Sequence, residues 1–163
     1  MILTAEVQTP RPFRTVRTRD LMPDEKEPGR LRHWIGERLA RLGLDVLADD
    51  LSLIAGELAA NALLHGRAPA RVTMTVVREA DGTGAVHLEC VDSGPGFDLE
   101  RMARVRDCAP EELLERCHGR GLLIIAALSS RWGYRRTTAG HAVWAEIGLS
   151  APVDGPRREG GAA

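Results

Sequence analysis

The chain predicts a two-layer α/β sandwich: an α+β fold in which a mostly antiparallel sheet carries helices on one face. Three observations point there. Two helical stretches with apolar faces precede residue 66, two strands with strict alternation follow them, and the last third offers a buried helix and a closing hairpin. A chain of 163 residues is long enough to bury one real core.

The elements follow in order. Residues 1–29 form an N-terminal extension rich in Pro, Arg and Thr, and RPFRTVRTRD within it reads as one edge strand with charged outer positions. Its four arginines also suit a phosphate-binding arm, but a solvated edge strand explains them more simply. RLRHWIGERLARL, about 30–42, reads as a helix stopped by Gly43, with Trp34, Ile35, Leu39 and Leu42 on its packing face. A second helix runs from about 47 to 65. Strands follow at about 70–78 (ARVTMTVVR) and 85–92 (AVHLECVD). Val72, Met74 and Val76 share one side of the first, and Val86, Leu88 and Cys90 one side of the second. After a glycine-rich turn and a segment containing PEELLERC, a buried helix begins near Gly121. Strands at about 131–138 and 141–147 close the pattern, with Ala139 and Gly140 as turn residues. The core domain spans 30–148, and 149–163 reads as a disordered tail with nothing to bury.

Composition narrows the function. The net charge of −1 gives no electrostatic footprint for nucleic acid. Three cysteines without a CxxC pair argue against a zinc site or a disulfide framework and for a reducing compartment. The longest apolar run, LLIIAAL at 122–128, is too short for a bilayer, and no signal peptide is visible. The expectation is a soluble cytoplasmic protein with no membrane or nucleic-acid partner.

Three polar features sit where apolar residues are expected. On the second helix, Leu51, Ile54 and Leu58 form one apolar stripe and Leu53 and Leu64 another. Glu57 and Asn61, four residues apart, fall between them on a shared face. A buried carboxylate without a partner is expensive, so the pair needs something to contact. That contact is either a core or capping hydrogen bond, or a metal and a substrate: an amide oxygen can ligate Mg²⁺, and a carboxylate one turn away can take a proton. Asp92 is the second feature. It follows Val86, Leu88 and Cys90 on one side of its strand, and Ser93-Gly94-Pro95-Gly96 turns the chain immediately after. A carboxylate at the rim of an apolar pocket can accept from an exocyclic amine such as that of adenine, although DSGPG is also an ordinary turn. The third is Gly119-Arg120-Gly121 before an apolar helix, where backbone N–H groups and the helix dipole favour an anion. Each signal is weak alone.

Their order is more telling. ExxxN on a helix, DxGxG after a strand and GxG opening a helix resemble the GHKL, or Bergerat-fold, ATPase superfamily of gyrase, MutL, histidine kinases and anti-sigma factor kinases. The resemblance covers about residues 30–148. ELAANALLHG, GRGLLIIAALSSRWGYR and AVWAEI resemble in particular the short stand-alone anti-sigma factor serine/threonine kinases of actinobacteria. It implies ATP and Mg²⁺ as cofactors, with Asn61 as the metal ligand and Glu57 as the general base. Asp92 would read adenine, Gly94 and Gly96 would line the base pocket, Gly119, Arg120 and Gly121 would cradle phosphate, and about 98–118 would form a mobile lid.

The implied partners are a sigma factor and a STAS-type anti-sigma factor antagonist, and homodimers are common among such relatives. Two positions depart from the pattern: Cys117 replaces the first of three phosphate-loop glycines, and His141-Ala142 after Gly140 lack the threonine of G-x-T. Two rival functions remain: a partner-sequestering module whose ATP site is non-catalytic, and a detached histidine-kinase catalytic domain.

Overall fold

A computed structural model describes residues 11–95 and 120–150. Five strands form one antiparallel sheet: β1 (Phe13–Leu21), β2 (Ala70–Arg78), β3 (Gly84–Asp92), β4 (Arg131–Thr137) and β5 (Gly140–Leu149), in the spatial order β1-β2-β3-β5-β4. Three α-helices lie among the described residues: α1 (Glu27–Arg41), α2 (Ala48–His65) and α3 (Arg120–Leu128). The α+β architecture is the one the alternation of the strands predicts. The lid expected at about 98–118, Gly96 and Gly119, the first ten residues and residues 151–163 of the tail lie outside the described residues, whereas Leu149, expected to begin the disordered tail, is the last residue of β5 and pairs with Gly84.

Local chemistry explains most boundaries. α1 begins at Glu27, three residues before the sequence-based start, because Pro28 fits the first turn, where a helix needs no N–H donor. It ends in a Schellman motif: Gly43 adopts φ 65°, its N–H bonds to the Ala40 carbonyl and the Leu44 N–H to the Leu39 carbonyl. A single 3₁₀ turn, Asp45–Leu47, leads into α2. The last hairpin turns on Thr138 and Ala139, one residue earlier than the sequence suggests. Gly140 is instead the first residue of β5, opposite Thr137.

The core lies between helices and sheet. Leu31, Ile35 and Leu39 of α1 and Leu51, Ile54 and Leu58 of α2 are buried against Val72, Met74 and Val76 of β2 and Val86, Leu88 and Cys90 of β3. Two apolar expectations need correction. Leu53 and Leu64 form no second buried stripe: they are 39% and 76% exposed. The inner face of α2 is filled by Ala55, Ala59 and Ala62, small residues that let neighbouring elements approach closely. On β1, the reading of charged outer positions holds for Arg14 but not for Arg19. That side chain turns toward α1, where its Nη2 donates to the Glu27 carboxylate at 2.8 Å and its Nε at 3.1 Å.

Candidate functional site

The sequence-predicted residues that the structure describes gather around the C-terminal half of α2. Glu57 and Asn61 face the first turn of α3. A Cβ built on Gly121 would stand 2.7 Å from Glu57 Oε2 and 3.4 Å from Asn61 Oδ1. A side chain at position 121 would have to push the Glu57 carboxylate aside, so glycine lets the start of α3 lie against both polar side chains. Arg120 opens α3 beside it. The Asn61 side-chain nitrogen is buried and, among the described residues, has no hydrogen-bond partner. A buried amide left in this state fits a group that awaits a ligand. Rotating the amide exchanges its oxygen and nitrogen at little cost, so the same position can present an acceptor to a cation.

Five residues further along, about 7.5 Å at ~1.5 Å per residue, α2 is capped by Gly66 beside Asp92. Asp92 is 4% exposed and closes the helix-facing side of β3, as the alternation with Val86, Leu88 and Cys90 requires. Its Oδ1 accepts the Gly94 N–H at 2.7 Å, which fixes the carboxylate. Glycines wall it in. A Cβ on Gly66 would lie 2.4 Å from the Asp92 carboxyl carbon, and one on Gly94 2.8 Å from Asp92 Oδ1. The loop after α2 is strapped to the same turn, since the Ser93 hydroxyl donates to the carbonyls of Arg67 at 3.0 Å and Ala68 at 2.9 Å. Burial, helped by the charges of Asp92 and Glu89, pushes the neighbouring Cys90 thiol up to about 12, so it is no nucleophile at neutral pH.

Three residues of this cluster escaped the sequence reading. Gly66 has no role in the sequence reading, yet its missing side chain makes room for Asp92. Gly140 passed for a turn residue. Its φ of 146°, and a virtual Cβ only 2.0 Å from the Asp92 carbonyl oxygen, show a close crossing of two backbones. His141 figured only as the residue between Gly140 and Ala142, the position that lacks the threonine. It is the cross-strand partner of Asp92, and its Nδ1 lies 3.0 Å from the Gly94 carbonyl oxygen, whereas Ala142 pairs with Val91 on the opposite face of the sheet. The signal available was register: the residue opposite Asp92 faces the site, and the next one cannot.

A fixed, glycine-walled carboxylate on one side and an unpartnered amide with a carboxylate on the other suit a polar ligand with an amine at one end and anionic groups at the other. This arrangement defines a nucleotide-binding α+β domain. The chain belongs to the histidine kinase-like ATPase domain family, whose model matches residues 23–147. Membership implies ATP binding, usually with Mg²⁺, and ATP-dependent kinase or ATPase chemistry in a regulatory protein. Comparison with curated proteins gives no significant match. Among the described residues, no group of three or more His, Cys, Asp or Glu could hold a metal ion. No described helix is long and apolar enough to cross a membrane.

Proposed function

We propose that the protein is an anti-sigma factor with serine/threonine-protein kinase activity toward an anti-sigma factor antagonist of the STAS type. The observation that carries the reading is the pairing of Glu57 and Asn61 on one face of α2, both under Gly121. Phosphoryl transfer asks mainly for positioning and charge neutralisation, plus one residue to orient or deprotonate the nucleophile. Bound Mg²⁺ would neutralise phosphate charge. Asn61 would hold it, Asp92 would orient the base through the carboxylate oxygen not engaged by Gly94, and Glu57 would accept the proton of an incoming serine or threonine hydroxyl. Sigma-factor binding and the identity of the antagonist rest on the resemblance of ELAANALLHG and GRGLLIIAALSSRWGYR to the anti-sigma factor kinases.

One observation favours a second reading, the partner-sequestering module with a silent ATP site. Glu57 lies against the first turn of α3, where the helix dipole alone would favour a carboxylate. Glu57 would then be structural. The two readings separate on labelled ATP and the cognate antagonist. On the kinase reading, Glu57→Ala still binds ATP but labels the antagonist about 10²–10⁴-fold more slowly. Asn61→Ala loses metal-dependent binding and labelling together. Equal labelling by parent and Glu57→Ala would remove Glu57 from the chemistry. Label arriving on a histidine would select the detached histidine-kinase domain instead.

A further inference from the structure

A second polar cavity lies away from the nucleotide cluster. It occupies about 100 Å³ between β1 and the last turns of α1, and Thr15, Arg17, Arg38, Arg41, Leu42 and Met74 line it. Met74 is buried and stands opposite Arg17 across the β1–β2 ladder. It is four residues along β2 from Ala70, the partner of Asp92. At ~3.3 Å per residue the two sites are therefore roughly 13 Å apart along the strand.

Three guanidiniums line this small space and no carboxylate does. Among the described residues, Arg17 and Arg41 form no ion pair. Arg17 spends one N–H on the Val16 carbonyl at 2.9 Å. Arg38 is held in place by stacking on Trp34, with its guanidinium carbon 4.5 Å from the ring centroid, and its Nη1 reaches Glu37 at 3.5 Å. Its Nε is buried without an acceptor among the described residues. The dipole at the end of α1 accounts for cations at Arg38 and Arg41. It does not account for Arg17, which comes from a different element, or for an orphaned donor on the residue that is best held. Three clustered guanidiniums with a hydroxyl beside them suit a tetrahedral oxyanion. The volume corresponds to about three waters at ~30 Å³ each, which is room for one phosphate group.

We propose that this cleft is a binding site for a phosphate group, borne by free phosphate or by a phosphorylated side chain, and separate from the nucleotide site. Calorimetry of the full chain with inorganic phosphate tests it. Saturable binding is expected, and chloride at matched ionic strength should not reproduce it. Arg17→Gln and Arg41→Gln remove exposed side chains, so the fold should survive, and each should weaken phosphate by about tenfold. Arg38→Lys keeps the charge but loses Nε and the planar fork, and it should weaken phosphate about as much. Asn61→Ala should bind phosphate like the parent. Absence of saturable binding, equal binding by Arg38→Lys, or loss in Asn61→Ala with the arginine variants unaffected would each overturn the proposal. Phosphoserine binding tighter than phosphate supports it with a protein-borne group as the source; equal or weaker binding supports it with the free ion.

Discussion

Glu27, at the start of α1, and Asp92, at the end of β3, are the two buried charged side chains among the described residues, at 0% and 4% exposure. Their surroundings differ completely. Glu27 is clasped by two cations: Arg19 at 2.8 Å and Arg30 at 3.5 Å. Among the described residues, Asp92 has no cation beside it. It has one backbone donor, Gly94, and walls of glycine. A buried ion pair whose charges satisfy each other is a clamp, and here it ties the edge strand β1 to α1. A buried acid supported only by backbone keeps its charge available to whatever enters. The same side-chain chemistry therefore marks structure in one place and a site in the other, and the partner decides which.

Breaking the clamp should give the larger change in stability. Arg19→Met keeps the stem that covers the core but leaves Glu27 with Arg30 alone. Removing one partner of a buried pair costs about 3–5 kcal/mol, and the part-exposed position of Arg19 places the expected loss near the lower end. The double variant Arg19→Met/Glu27→Met should recover most of that loss, since an apolar pair replaces the charges together. Urea unfolding measures both, and ATP binding should not change. A single variant within about 0.5 kcal/mol of the parent would show that the clamp contributes nothing.

Asp92→Asn should do the reverse. Asn Oδ1 can still accept the Gly94 N–H, and a buried charge without a cation disappears, so stability should hold or rise. Affinity for ATP should fall by roughly 1–3 kcal/mol, because an acceptor becomes a donor at the adenine amine. Calorimetry with Mg-ATP checks the affinity and thermal melting the stability. A destabilised variant that binds ATP as well as the parent would make Asp92 a second clamp and erase the contrast.

This contrast was only half legible in the sequence. The alternation of β3 put Asp92 on the core face, and helical spacing put Glu57 and Asn61 side by side, because both periodicities are local. Glu27 gave no such signal. Next to Pro28 it read as part of a polar extension, and its partner Arg19 is eight residues away on another element. The roles of Gly66, Gly140 and His141 were hidden for the same reason. Each depends on which backbone crosses which, and strand register fixes that only after the sheet has formed. Leu53 and Leu64 erred in the opposite direction, since apolar spacing on a helix does not say whether a neighbour covers it.

The smallest effect repeats the same contrast on the surface. Asp20 and Asp81 are both exposed, and both carboxyls sit below the ordinary 3.8. For Asp20 the cause is chiefly the hydrogen bond from Arg71, a cation. For Asp81 it is the Thr83 hydroxyl and then the Thr83 N–H, both neutral donors. A carboxylate whose folded value is depressed contributes stability above its unfolded value, and the contribution is lost as pH falls through the folded one. Acid should therefore weaken the fold progressively below about pH 4 through both groups. Salt separates them. At about 1 M, where screening acts within ~3 Å, the Asp20 depression should shrink, while that of Asp81, which owes nothing to a charged partner, should persist. Carboxyl titrations followed by NMR at low and high salt read the two directly. An Asp20 value that does not move with salt would mean that hydrogen-bond geometry rather than the charge of Arg71 sets it, and the distinction between cationic and neutral partners would then hold only in the interior.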